Sequence, residues 1–303
     1  MVYYNDIKEM IGNTPILKLN NLNVKKNVGI FAKLENFNPG GSVKDRIGVY
    51  MIDGAEKKGF LNKGYTIVEA TAGNTGLGIA LGALNRGYKV IFVVPEKFSQ
   101  EKQILMKALG AEIINTPKEK GMLGAIEKSQ ELLNNIPNSI SLKQFENKDN
   151  PKAHYLTTGP EIYMDMEGNI DYLVAGAGSG GTFTGIVKYL KEKNKNIKSI
   201  LVDPEGSTMG GGAEGCYGIE GIGNNFIPDT MDMSLVDKII KVNDEEAFYM
   251  VRKLAEKEGL IVGSSSGAAM AGVLKLVQSI DKGNIVVIFP DRGDRYFSKN
   301  IYH

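Results

Sequence analysis

The chain has no tryptophan, one cysteine and two histidines in 303 residues. A lone thiol, Cys216, cannot close an internal disulfide, so stability must come from the core, and a reducing compartment is expected. His154 and His303 with that one thiol are too few for a His/Cys zinc cage, so no metal is expected. Neither sign of charge is in surplus: 36 Lys+Arg against 35 Asp+Glu leave a formal +1. That balance excludes the clustered basic excess of a nucleic-acid-binding protein. No apolar run approaches the ~20 residues that span a bilayer. The opening MVYYNDIKEMIGNTP has neither the basic nor the apolar region of a secretory leader. These absences predict a cytoplasmic protein without nucleic-acid or membrane partners. Its length suggests about two domains.

What is abundant is glycine, with 37 residues placed mostly at the ends of short apolar runs. Ile67-Val68, residues 90–94, Tyr172-Leu173-Val174, Ile200-Leu201-Val202 and residues 285–289 read as buried strands. They lack polar alternation, as expected of a parallel sheet covered on both faces. Between them lie helical stretches at 43–58, 75–85, 100–109, 122–134, 151–166, 182–192, 244–258 and 265–279. Strand and helix alternate, which is the α/β signature. The polar segment 145–151 and the turn Asn38-Pro39-Gly40-Gly41 interrupt the pattern. They divide the chain into a smaller, mobile α/β domain over 41–147 and a larger one over 1–40 plus 148–303.

Three strand-to-helix turns carry the chemistry. In Val174-Ala175-Gly176-Ala177-Gly178-Ser179-Gly180-Gly181-Thr182, Gly176, Gly178 and Gly181 satisfy G-x-G-x-x-G, and Asp203 ends the next strand. This matches a dinucleotide fingerprint on paper. The same glycines at a helix start suit a single phosphate equally well, and Ser179 and Thr182 add hydroxyl donors. A bare turn is the third reading. In Asn38-Pro39-Gly40-Gly41-Ser42-Val43-Lys44-Asp45-Arg46 a lysine opens a helix. There the dipole disfavours its charge and makes the amine a better nucleophile toward an aldehyde. In Glu69-Ala70-Thr71-Ala72-Gly73-Asn74-Thr75-Gly76, small residues and hydroxyls offer an anion clamp, or an ordinary N-cap. Together the three supply an aldehyde partner, an anion clamp and a phosphate cup.

In these motifs, and in Ile11-Gly12-Asn13-Thr14-Pro15 and residues 290–296, the chain resembles the cysteine synthase and cystathionine β-synthase family. That family consists of fold type II pyridoxal 5′-phosphate (PLP) enzymes. The resemblance implies two α/β domains of the tryptophan synthase β type, with the cofactor in the cleft between them, and a homodimer. It implies Lys44 as the covalent partner of the cofactor's aldehyde and Asn74 as partner of its phenolic oxygen. The phosphate would lie on Gly178, Ser179, Gly180, Gly181 and Thr182. Thr71, Gly73, Thr75 and Gln144 would receive the carboxylate of a small amino-acid substrate. Ser265, in the run Ser264-Ser265-Ser266, matches the partner of the pyridine nitrogen. A hydroxyl there leaves the ring a weaker electron sink than an aspartate would, which suits β-elimination and β-replacement. The run also reads as a helix N-cap.

Within the substrate-facing set, Ala72 stands where most cysteine synthases have serine, and Glu220 where they usually have glutamine. The stretch 210–215 reads as a mobile flap. A third departure is Asp232, in Asp229-Thr230-Met231-Asp232-Met233, where apolar residues are usual. A carboxylate near the site mouth would repel hydrosulfide and act as general base on water. The resulting expectation is a PLP-dependent lyase that takes L-cysteine, releases hydrogen sulfide and adds water to form L-serine. The second reading is β-replacement of O-acetylserine, serine or cysteine by sulfide, homocysteine or cysteine. A nucleotide-dependent oxidoreductase built on Gly176, Gly178, Gly181 and Asp203 is the reading from a different class.

Overall fold

A computed structural model describes residues 3–22, 24–71, 73–96 and 100–303. Among these the strands are β1 (Ile16–Lys18), β2 (Val28–Leu34), β3 (Thr66–Ala70), β4 (Lys89–Pro95), β5 (Glu112–Thr116), β6 (Ser139–Ile140), β7 (Tyr172–Gly176), β8 (Lys198–Pro204), β9 (Lys238–Val242) and β10 (Gly283–Phe289). The α-helices are α1 (Lys44–Lys57), α2 (Asn74–Ala83), α3 (Gln100–Ala108), α4 (Gly121–Asn135), α5 (Asp149–Leu156), α6 (Thr158–Asp165), α7 (Gly181–Lys193), α8 (Asp244–Glu258) and α9 (Ser264–Gln278).

The chain divides into two units, with crossings at Val43/Lys44 and Asn150/Pro151. The larger holds a six-stranded sheet ordered β1-β2-β10-β7-β8-β9, parallel except for β1. Alternate residues of its central strands enter two apolar layers. Val174, Val202, Val287 and Phe289 join one, with Met270 and Val273 of α9. Leu173, Leu201, Val286 and Ile288 join the other, with Phe183 and Ile186 of α7. Both faces are covered, which is why these strands read as unbroken apolar runs. The smaller unit holds a four-stranded parallel sheet ordered β5-β4-β3-β6. Val68, Ile91 and Val93 pack there against Ala125 of α4.

Three features depart from the sequence reading. The segment leading to Ile11 groups with the smaller unit, where residues 1–40 were expected in the larger. Lys8 Nζ donates to Leu84 O at 3.2 Å and anchors it there. The single helix expected over 151–166 is two, α5 and α6, broken at Thr157 (φ −126°, ψ −72°). A continuous helix would put Pro160 in its interior, whereas a restart puts it in a first turn, where its missing N–H costs nothing. Strand β9 escaped the apolar-run criterion because its faces alternate between covered and open, and β5 because only its last residue, Thr116, is buried.

Candidate active site

In the smaller unit, Lys44 opens α1 and Asn74 opens α2, and glycines draw the two starts together. A methyl group on Gly78 would overlap the carbonyl of Lys44, and one on Gly48 would overlap the carbonyl of Gly78. The helices therefore meet backbone to backbone, with Lys44 one turn along α2 from Asn74. Helix α2 starts from Gly73, with no side chain capping it. An uncapped helix start attracts an anion. Thr71 and Thr75 are buried beside it, and Thr71 Oγ1 lies 3.5 Å from Gly73 N. Thr75 Oγ1 donates to Gln144 Oε1 at 2.7 Å. That bond fixes the amide orientation and turns the Gln144 NH2 outward as a donor. Ala72 lies outside the described residues.

In the larger unit, Gly178, Ser179 and Gly180 lead from β7 into α7, whose first two residues are Gly181 and Thr182. Gly180 caps the helix at φ +81°, a conformation glycine adopts without steric cost. No side chain caps α7 and no acidic residue stands in its first turn, so the loop fits a phosphate dianion. The loop is braced from behind. A methyl on Gly178 would overlap Gly221 O, one on Gly180 would overlap Met231, and Thr230 Oγ1 donates to Ser179 O. Thr182 Oγ1 lies 3.1 Å from His154 Nε2, and His154 Nδ1 lies 2.9 Å from Thr158 Oγ1. His154 and Thr158 are wholly buried.

Ser265, buried in the first turn of α9, has its Oγ 4.0 Å from where a Cβ on Gly221 would stand. Gly221 thus touches Gly178 on one side and faces Ser265 on the other. The expected serine N-cap is instead Gly263. Ser264 Oγ accepts from Glu220 N at 3.0 Å, and buried Ser266 Oγ has no partner among the described residues. Helices α2, α7 and α9 all start from glycine without a side-chain cap, whereas α8 carries a full capping box from Asn243 and Glu246. These three glycine starts are those of the 69–76 turn, the 174–182 turn and the serine run at 264–266.

Three predicted acids occupy different settings. Glu220, half-buried, has its carboxylate 3.4 Å from Lys299 Nζ. Asp232 is exposed and follows Met231, which packs on Gly180. Its Oδ1 accepts from Ser234 N (3.0 Å) and Ser234 Oγ (2.6 Å), capping a short 3-10 helix. Asp232 Oδ2 has no hydrogen-bond partner among the described residues. Asp203, the acid that completed the dinucleotide fingerprint, is wholly buried. It binds Lys241 Nζ (2.5 Å), Ser207 Oγ (2.7 Å) and Gly210 N (2.9 Å). Its carboxylate is consumed in pinning the 207–210 turn, so no acid is left for a ribose.

Two residues given no role by the motifs stand next to these groups. His154 is one. The other is Glu69, whose Oε1 accepts from Ser141 Oγ, Leu142 N and Lys143 N, while burial raises its pKa despite those donors. An ionisable residue inside an apolar strand was the available signal for Glu69; for His154 there was none.

Each unit thus presents an uncapped helix start, beside Lys44 in the smaller and beside buried Ser265 in the larger; the comparisons identify the family. The family model for pyridoxal-phosphate dependent enzymes matches residues 7–291. The chain belongs to that family and has its type II fold. It is 52% identical to an O-acetylserine dependent cystathionine beta-synthase of Bacillus subtilis, over 100% of this chain and 99% of the relative. It is 50% identical to a cysteine synthase of Helicobacter pylori, over the whole of both chains. The crystal structure of a hydrogen sulfide-producing enzyme from Fusobacterium nucleatum superposes with a TM-score of 0.93 at 42% identity, covering 97% of this chain and 100% of that one. The protein is therefore a PLP-dependent enzyme of the cysteine synthase and cystathionine β-synthase group.

Proposed function

We propose that the enzyme converts L-cysteine and water to L-serine and hydrogen sulfide. Bound PLP would supply the electron sink that lets a proton leave the α-carbon of an amino acid and a substituent leave its β-carbon. Gly178 to Thr182 would hold the phosphate, Asn74 the phenolic oxygen and Ser265 the ring nitrogen. The amine of Lys44 would hold the cofactor's aldehyde and, when free, would take the α-proton at Nζ. Thr71, Gly73, Thr75 and the outward NH2 of Gln144 grip the substrate carboxylate. The β-carbon–sulfur bond then breaks and sulfur departs as hydrosulfide. Asp232 takes a proton from water as its oxygen bonds to the β-carbon. The α-carbon regains a proton from Lys44, and the proton on Asp232 passes to hydrosulfide.

The observation that carries the choice of water is the open Oδ2 of Asp232, on a segment whose neighbours Thr230 and Met231 bond to and pack on the phosphate loop. A base needs an available lone pair, and a carboxylate there disfavours the return of an anionic hydrosulfide. The test is incubation of the holoenzyme with L-cysteine alone, with assays for sulfide, serine, lanthionine and pyruvate. Serine formed in step with sulfide supports the proposal; lanthionine or pyruvate as main product overturns it. A second reading, β-replacement on O-acetylserine, is favoured by the names of the relatives and by the capping duty of Asp232 Oδ1. A faster rate with O-acetylserine plus homocysteine than with cysteine alone would put that reading first.

A further inference from the structure

Strand β6 is two residues long, pairing Ser139 with Thr66 and Ile140 with Ile67 of β3. Had it continued in register, Ser141 and Leu142 would lie opposite Val68 and Glu69. The ladder instead stops, and the side chain of Glu69 takes over. Its Oε1 receives Ser141 Oγ (3.0 Å), Leu142 N and Lys143 N (3.1 Å), so one carboxylate oxygen does what main-chain carbonyls did for the two preceding residues. The chain then turns through Lys143, a non-glycine residue at φ +53°. This left-handed conformation carries a steric cost and persists only where the surroundings enforce it. Asn147 Nδ2 holds Leu142 O at 2.9 Å and Asn150 Nδ2 holds Gln144 O at 2.8 Å. The result is a Gln144 side chain brought back to Thr75.

We infer that Glu69 is a positioning residue for substrate-carboxylate recognition: its carboxylate ends strand β6 early and forces the 141–143 turn that aims the Gln144 amide beside Thr75. The inference rests on the proposed reading of Thr75 and Gln144 as holders of that carboxylate. Hydrogen bonds to a charged acceptor are stronger than neutral ones, and losing their acceptor leaves the part-buried Ser141 and Leu142 donors unmatched. Without Glu69 the turn relaxes, and what is lost is discrimination for a carboxylate rather than the chemistry at the β-carbon.

The experiment compares two unreactive probes on the holoenzyme, L-alanine and ethylamine, which differ only in the carboxylate. Their binding is followed by the visible absorption of the bound cofactor. In the parent enzyme alanine should bind far more tightly. Glu69→Ala should cut that preference at least about tenfold, roughly the worth of one charged hydrogen bond, with ethylamine binding unchanged. Glu69→Gln, which keeps an acceptor oxygen, should recover most of it, and Glu69→Leu, which keeps bulk but no acceptor, takes the place of the alanine variant should that one not fold. Adding Glu69→Ala to Gln144→Ala should change the preference no further. A preference unchanged in both Glu69 variants overturns the role of Glu69. A parent enzyme that does not distinguish the probes overturns the carboxylate-holder reading itself, and the inference with it.

Discussion

At the scale of single residues, Lys44 and Asp232 separate two parts of the proposed reaction. Lys44→Ala should abolish turnover and the visible absorption of lysine-bound cofactor, while cofactor still binds through the loop at 178–182. Spectra and equilibrium dialysis check both halves. Asp232→Asn keeps the size of the side chain and an oxygen for Ser234 but removes the basicity. Serine formation should fall ~10²–10⁴-fold, the usual worth of general-base assistance, while an added thiol is still captured. Quench-flow assay of serine decides it: a parent-like rate would reduce Asp232 to a helix cap. The motifs placed Lys44, Asn74, the 178–182 loop and Ser265 at helix starts, and the structure has them there, because each lies within a few residues of a glycine at a turn. Glu69 and His154 were not legible in this sense. Their hydrogen-bond partners, in the 141–143 turn and at Thr182, are distant in sequence and meet them only through folding.

At the scale of elements, α1 and α2 show how little room the site leaves. Gly78→Ala would drive a methyl into the carbonyl of Lys44. Backbone cannot step aside as a flexible side chain can, so the helices must separate. A loss of about 1–3 kcal/mol is expected from overpacking, together with an altered cofactor spectrum because Lys44 moves. Asn243→Ala is the contrasting case. It removes the capping box of α8, and about 1 kcal/mol of stability should go with it, while the spectrum stays unchanged. Denaturant titrations with parallel absorption spectra test the pair. Boundaries at this scale were mostly readable, since α8 is set by its cap and β10 by its apolar run. The break at Thr157 was not, although Pro160 was in view. The apolar pattern carries on across it, and only the hydrogen bond from Thr157 Oγ1 to Ala153 O (2.7 Å) marks the end of the first turn series.

At the scale of the whole molecule, one surface carboxylate ties three elements of the larger unit. Asp237 precedes β9 and accepts from Lys191 Nζ of α7 (2.6 Å) and from Ser199 N and Oγ of β8 (2.8 Å each). Burial alone would raise its pKa, but these donors hold it down at about 2. A depressed carboxylate stabilises the fold fully above its unfolded pKa, near 4, and loses that contribution as pH falls toward 2. Asp237→Asn should therefore lower the melting temperature at neutral pH and flatten its fall between pH 4 and 2. Melting curves across that range check the sign. The α/β class was legible from strand and helix alternation, but the order of the six-stranded sheet was not. β2 pairs with β10 from the far end of the chain, a choice no local pattern encodes.

The solitary thiol also makes the protein its own reporter. Cys216 is exposed and follows Gly215, whose N–H is bonded to Gly206 O at 2.9 Å. It stands five positions before Gly221, the glycine between Gly178 and Ser265. A maleimide fluorophore or spin label would therefore attach at one position in the unaltered chain, with no background cysteines to remove. It would sit on the segment that backs the cofactor loop, a built-in attachment point for watching ligands arrive in real time.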